Sequence, residues 1–271
     1  MVLNMGLTIL NRNFTRLTLL YLFMVASLSP SHAAEPAPKT NGGELKTFIV
    51  GVEDVDYFPH YDIKREGPDK GVAIAILNLF AKQMDYQFVY QEYPIRRLRK
   101  NLITHQTIDF SYPDHPRWSE DIKRRAHIIY SDPVEHVVSG TLVPKARDGV
   151  SADEIKTLAM IRGFTPTLWA KETHSVQLLE VSDAESALKM VLLGRADGAD
   201  VGLSVANYHL RKLGAEGELV MTQSLANARF PFHLSTINFP EVVDQFNQFL
   251  RDNTEQIATI KSEYEVLESL E

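Results

Sequence analysis

The chain contains no cysteine. That excludes disulfides, a thiolate nucleophile and cysteine metal sites, so the fold rests on its hydrophobic core alone. Tryptophan is scarce at two residues in 271, and outside the first thirty positions no apolar run is long enough to span a bilayer. Several motifs are also missing: G-x-G-x-x-G, G-x-x-x-x-G-K-[ST], H-E-x-x-H and G-x-S-x-G are all absent. Dinucleotide, nucleotide, zinc-protease and α/β-hydrolase chemistry therefore lose their usual support. Histidines are scattered, and the nearest thing to a metal cluster, "PDHP" with His127 and His136 downstream, reads better as a solvated loop than as a ligand set.

The first residues differ from the rest. Arg12 and Arg16 precede any acid, the apolar run "LTLLYLFMVASL" (17–28) follows, and "SPSHAA" ends in small residues. This is the three-part pattern of a cleavable secretory signal, residues 1–34, and it predicts a periplasmic protein with no stable membrane insertion after cleavage. Removing it takes away two arginines and no acid, which moves the formal charge from −7 to −9. An acidic exported chain is a poor partner for nucleic acid, which needs a basic surface.

A Pro/Gly-rich linker over 35–45 leads into the folded body near Lys46. "KTFIVGVE" reads as a strand, "VAIAILNLFAKQMD" as a helix, "YQFVYQEY" as a strand, "PIRRLRKNLITHQ" as a helix and "TIDFSY" as a strand. Such alternation predicts an α/β fold with a mostly parallel sheet. The stretch 126–145 reads as extended. Ser151 with Glu154, and Ser182 with Glu185, have capping-box spacing ahead of two helices. "LAMIRGF" and "ADGADVGLSVANYHLRKLG" continue the α/β pattern, "FPFHLSTIN" is extended, and the chain closes on two amphipathic helices.

The ordered set "VGVEDVDYFP", "GVAIAILNLFAKQMDYQF", "PIRRLRKNLITHQTIDF", "IIYSDPV" and "SALKMVLLGRADGAD" resembles the family 3 solute-binding proteins, the receptors of amino acid ABC transporters. The resemblance implies the two-lobed type II periplasmic binding protein fold, each lobe a mostly parallel sheet flanked by helices, with two crossing segments. It divides the chain into lobe 1 (46–140), lobe 2 (141–232) and a return to lobe 1 with the C-terminal helices (233–271), the lobes closing on a ligand like a hinge. It further implies a monomer without catalysis or cofactor, which hands a small polar solute to an ABC permease or a membrane sensor. An exported enzyme resembling cyclohexadienyl dehydratase, or a ligand-free envelope module, are the alternatives.

Site expectations follow from the same likeness. Tyr57 and Phe58 stand where an aromatic packs on ligand, and Arg97 where an arginine opens the second helix close to the cleft, while Arg96 and Arg99 read as solvated charges. Ser131 sits just before the first crossing. Tyr112, Asp114 and Trp118, beside Arg117, occupy the loop "IDFSYPDHPRWSED" after a strand, on the edge where open α/β sheets bind ligands. Tyr93 and Trp169 are further aromatic candidates. Asp109 and Asp197 read as structural. The sequence departs from the family twice: this loop has no aligned Thr-x-x-Arg to grip a carboxylate, and Gly202 stands at the place of the amine-binding acid, leaving Asp200 to take that role.

Overall fold

The computed structural model describes residues 45–124, 126–172 and 176–269; the expected signal and nearly all of the linker lie outside them. β1 (Lys46–Glu53), β2 (Tyr86–Tyr93) and β3 (Phe110–Asp114) form a parallel set, with α1 (Val72–Gln83) and α2 (Ile95–Lys100) as crossovers. A π turn over Asn101–His105 prolongs α2. After the short α3 (Glu120–Lys123) and β4 (Ile129–Tyr130), β5 (Glu135–Pro144) leads into a second parallel set. This consists of β6 (Thr157–Ile161), β7 (Gln177–Val181) and β8 (Gly198–Gly202), with α4 (Leu168–Glu172) and α5 (Ala184–Leu192) between them. α6 (Leu203–Lys212), β9 (Leu219–Met221), β10 (Ala228–Thr236), α7 (Pro240–Asp252) and α8 (Thr254–Glu263) complete the chain.

The strand order is β2-β1-β3-β10-β5-β8-β6-β7, with β4 on β10 and β9 on β5. Two lobes, each a mostly parallel α/β layer, thus meet at two antiparallel strands. β10 changes partner within its own length: Ala228 to Phe232 pair with β5, and His233 to Thr236 with β3. β5 pairs with β10 from Glu135 to Ser139 and with β8 from Ser139 to Leu142.

The lobe 1 core is aromatic. Phe48 and Phe110 meet edge to face at 5.4 Å, and Phe80 meets Phe246 of α7 at 5.0 Å. Each such ring contributes about 1.5–3 kcal/mol by leaving water, which is why the amphipathic C-terminal helices dock here. Gly71, ahead of α1, has φ +100, and a Cβ there would lie 2.7 Å from the His60 carbonyl oxygen. Only glycine takes that backbone without strain.

Helix capping differs from the sequence reading at two places. The Ser151–Glu154 capping box forms but caps only a three-residue 3₁₀ turn. α5 is capped by Asp183, which accepts from the Ser186 amide, while Ser182 donates to Asp183. A carboxylate one position later reaches the free amides that the serine was expected to satisfy.

Candidate functional site

A cavity of about 420 Å³ opens between the lobes. Lobe 1 and the crossing strand β10 supply Glu53, Tyr57, Trp118 and Phe230, and lobe 2 supplies Phe164 and Asp200. Its walls are aromatic: Trp118 packs edge-on against Phe230 (5.8 Å) and Phe232 (5.4 Å), and Tyr57 meets Phe164 at 5.3 Å.

Beneath the lobe 1 wall runs a buried ionic network. Arg99 is fully buried and donates from Nη2 to Glu53 Oε1 (2.9 Å) and the Pro113 carbonyl (2.9 Å), and from Nη1 to Ser111 Oγ (2.7 Å). Its Nε lies 3.6 Å from Asp114 Oδ1. Asp114 also accepts from Lys123 and from Ser235 Oγ (2.7 Å), and Tyr61 donates to Glu53 Oε2 (2.8 Å). Two carboxylates face two cations, so the cluster is close to neutral. Burial pushes the Glu53 pKa up against the opposing pull of Arg99, and burial lowers that of Lys123 against the pull of Asp114.

Asp200 is different. It is buried on β8, accepts from the Thr167 amide (2.7 Å) and more distantly from Ser139 Oγ (3.4 Å), and faces the cavity. Among the described residues no basic side chain pairs with it, and burial pushes its pKa up to about 6.

Of the expected site residues, the structure brings Tyr57, Trp118 and Asp200 together around the cavity, with Arg117 exposed at its rim. The others lie elsewhere. Arg97 is exposed and off the cavity, whereas Arg99, expected in solvent, is the buried one. Two residues along an α-helix is a turn of about 200°, so only one of the pair can face the core. Phe58 turns to the other side of its loop, 4.6 Å from Tyr208 and 4.0 Å from the Arg65 guanidinium. Tyr112 and Asp114 are not in a loop at all: β3 runs on through Asp114 between β1 and β10, and every residue in it is buried. Tyr112 donates to Glu135 Oε1 (2.7 Å). Ser131 Oγ is used up by the backbone at the crossing, donating to the Asp132 carbonyl (2.6 Å) and accepting from the Leu234 amide (3.0 Å). Trp169 donates to Thr141 Oγ1 (2.9 Å) inside lobe 2, and Tyr93 packs beside Leu98 and Leu102 in lobe 1.

Asp109 accepts from the Ile49 amide (2.7 Å) and Asp197 from Lys156 and Thr157, both structural roles. Glu53, which the sequence offers with Asp54 and Asp114 only as a candidate general acid for the enzyme alternative, lines the cavity, and Phe164, Thr167 and Phe230 are not expected from the sequence. The signal available for Phe164 and Thr167 was the turn "GFTPT" at the carboxyl end of a strand.

No family model matches the sequence, and no curated protein matches it. Solved structures do match in shape. A histidine kinase sensor domain with similarity to periplasmic binding proteins superposes with TM-score 0.66 at 20% identity, covering 82% of this chain and 98% of that one. The substrate-binding protein of an amino acid ABC transporter gives 0.64 at 17% identity, covering 80% and 98%. An ancestral amino acid-binding protein named as a precursor of cyclohexadienyl dehydratase gives 0.62 at 20% identity, covering 80% and 95%. The chain therefore has the two-lobed fold of the type II periplasmic binding proteins. The matching structures are of the kind that the sequence resembles.

Proposed function

We propose that this chain is an exported solute-binding protein whose interlobe cleft captures a small molecule carrying a protonated amine on a compact apolar or aromatic body. The observation that carries this reading is Asp200, a buried carboxylate facing the cavity without a cationic partner among the described residues. Raising a carboxyl pKa from 3.8 to about 6 corresponds to a penalty of about 3 kcal/mol on the ionised form. A ligand ammonium beside it removes that penalty, and the half-exposed faces of Trp118 and Phe164 add cation-π and stacking attraction of about 0.5–2 kcal/mol each. Arg117 and Arg229, exposed at the rim, suit a carboxylate on the same solute. The buried Arg99 does not, since Glu53, Ser111, Pro113 and Asp114 already occupy it.

The role is capture without chemistry, with delivery to an ABC permease or a membrane sensor as the downstream step. Native mass spectrometry of the purified protein, followed by a thermal-shift screen of amines, amino acids and organic acids, tests it. A ligand at a hundred times its dissociation constant stabilises by about 2.7 kcal/mol, well within detection. Melting that responds only to organic acids lacking an amine sinks the reading. So does turnover of prephenate or arogenate by the purified protein.

A further inference from the structure

The β1–α1 loop of lobe 1 touches lobe 2 at three successive residues. Asp56 Oδ1 lies 3.8 Å from Nε2 of the buried His209, Tyr57 meets Phe164, and Phe58 packs at a tilt against Tyr208, whose hydroxyl also accepts from Arg65 Nη1 at 2.7 Å. Tyr57 goes deepest. Its hydroxyl lies where a side chain at position 202 would begin: a Cβ on Gly202 would sit 2.7 Å from that oxygen, but 3.4 Å from the ring carbon that bears it and 3.3 Å from Val137 Cγ1.

The backbone of Gly202 has no need of glycine. Its φ of −63 and ψ of 140 suit any residue, and it directly precedes α6. The missing side chain therefore provides room, and the occupant of that room belongs to the other lobe. Tyr57 is almost fully buried, at 2% exposure, in a loop segment, 57–61, that is buried throughout.

We propose that Tyr57 is a positioning residue that seats lobe 1 on lobe 2: its phenol fits the space left by Gly202, and this fit sets how far the binding cleft shuts. The seat also shapes specificity. Because Tyr57 fills the lobe 2 surface beside Asp200, a ligand's polar head is confined to the corner made by Asp200, Ser139 and Thr167. The specificity consequence rests on the ligand-binding reading above, whereas the seat itself does not.

The distances dictate a rescue experiment. A methyl group at 202 would lie 2.7 Å from the phenol oxygen, a collision, whereas Val137 Cγ1 at 3.3 Å and the phenol Cζ at 3.4 Å need to give by only a few tenths of an ångström, so Gly202→Ala should prop the lobes apart, and removing that oxygen with Tyr57→Phe should let them close again. The chain has no cysteine, so spin labels at Lys82→Cys in lobe 1 and Leu193→Cys in lobe 2, both exposed, report the interlobe distance in full-length protein without ligand. The expected result is a narrow distribution for the parent, a longer and broader one for Gly202→Ala, and a return to the parent distribution for Gly202→Ala with Tyr57→Phe.

Should Gly202→Ala fail to fold by circular dichroism, Tyr57→Ala on the parent background serves in its place, since loss of the ring also unseats the lobes and broadens the distribution. A Gly202→Ala distribution identical to the parent's overturns the proposal, as does failure of Tyr57→Phe to restore it, or an unchanged distribution in Tyr57→Ala where that variant is used. Rescue in a protein that binds no amine leaves the seat standing and removes only the ligand reading.

Discussion

Arg99 Nη2 lies 2.9 Å from Glu53 Oε1, and the two side chains, 0% and 4% exposed, form the centre of the network beneath the cleft wall. Glu53 lines the cavity while Arg99 stands behind it. The arginine therefore acts on the site through the carboxylate it holds.

Replacing Arg99 with Ala strands Glu53 and Asp114 as buried charges facing Lys123 alone, and should cost about 3–5 kcal/mol. For a chain of this size that lowers Tm by roughly 10 °C. Arg97→Ala, two residues earlier and exposed, should change stability by less than about 0.5 kcal/mol. Calorimetric melts of the two variants side by side decide it, and equal Tm values would show that the buried network contributes nothing.

Asp200 makes stability depend on pH in a definite direction. Its carboxyl titrates near 6 when folded against an ordinary 3.8, so the native state holds the proton more tightly than the unfolded chain. The penalty is absent below about pH 4, grows as pH rises toward 6, and is constant above. Asp200→Asn should accordingly be about 3 kcal/mol more stable than the parent at pH 8 and indistinguishable from it near pH 3.5. Denaturant titrations at the two pH values check this. Amine binding by the parent should weaken below pH 6, and the Asn variant should bind weakly at every pH.

Trp118 is half-buried against Phe230 and Phe232 and forms one wall of the cavity. Trp118→Ala should lower ligand affinity by about 1–2 kcal/mol, or roughly 5- to 30-fold, while the protein stays folded. Trp118→Phe should recover most of the loss. Isothermal titration with the ligand found by mass spectrometry measures both, and unchanged binding in the alanine variant would mean that this wall does not meet ligand.

Asp197 should behave in the opposite way. Its Oδ2 accepts from the Lys156 amide (3.0 Å), the Thr157 amide (2.9 Å) and Thr157 Oγ1 (2.9 Å), and Oδ1 from Arg147 (3.0 Å). Burial works against ionisation, yet these bonds hold the pKa below the usual carboxylate range. Asp197→Ala should cost about 2 kcal/mol at neutral pH, a difference that shrinks in acid as the parent carboxylate is protonated. Ligand affinity, read by titration calorimetry, should be unaffected.

Local pattern determined much of this protein. The strands at 46–53 and 86–93 follow from short apolar or alternating runs, and the helices at 72–83 and 240–252 from apolar residues at helical spacing. These are short-range periodicities that a chain carries whatever it packs against. The short elements at 120–123, 168–172, 177–181 and 219–221 are not legible, because so few residues establish no period of their own and, unlike "TIDFSY" or "LAMIRGF", these stretches do not stand out in the α/β alternation. The division of charged side chains between core and solvent was decided only by the tertiary structure. "RRLR" holds three arginines, and nothing in that string says that Arg99 alone turns inward to Glu53 and Asp114 while Arg97 faces water. Likewise "YPD" reads as a loop until β10 arrives from more than a hundred residues downstream to cover β3 and make it a central strand. The vacancy at Gly202 has no meaning in the sequence, since its backbone suits any residue, until Tyr57 from the other lobe fills it. Burial, ion pairing and steric fit depend on partners distant along the chain, and only the folded molecule brings those partners together.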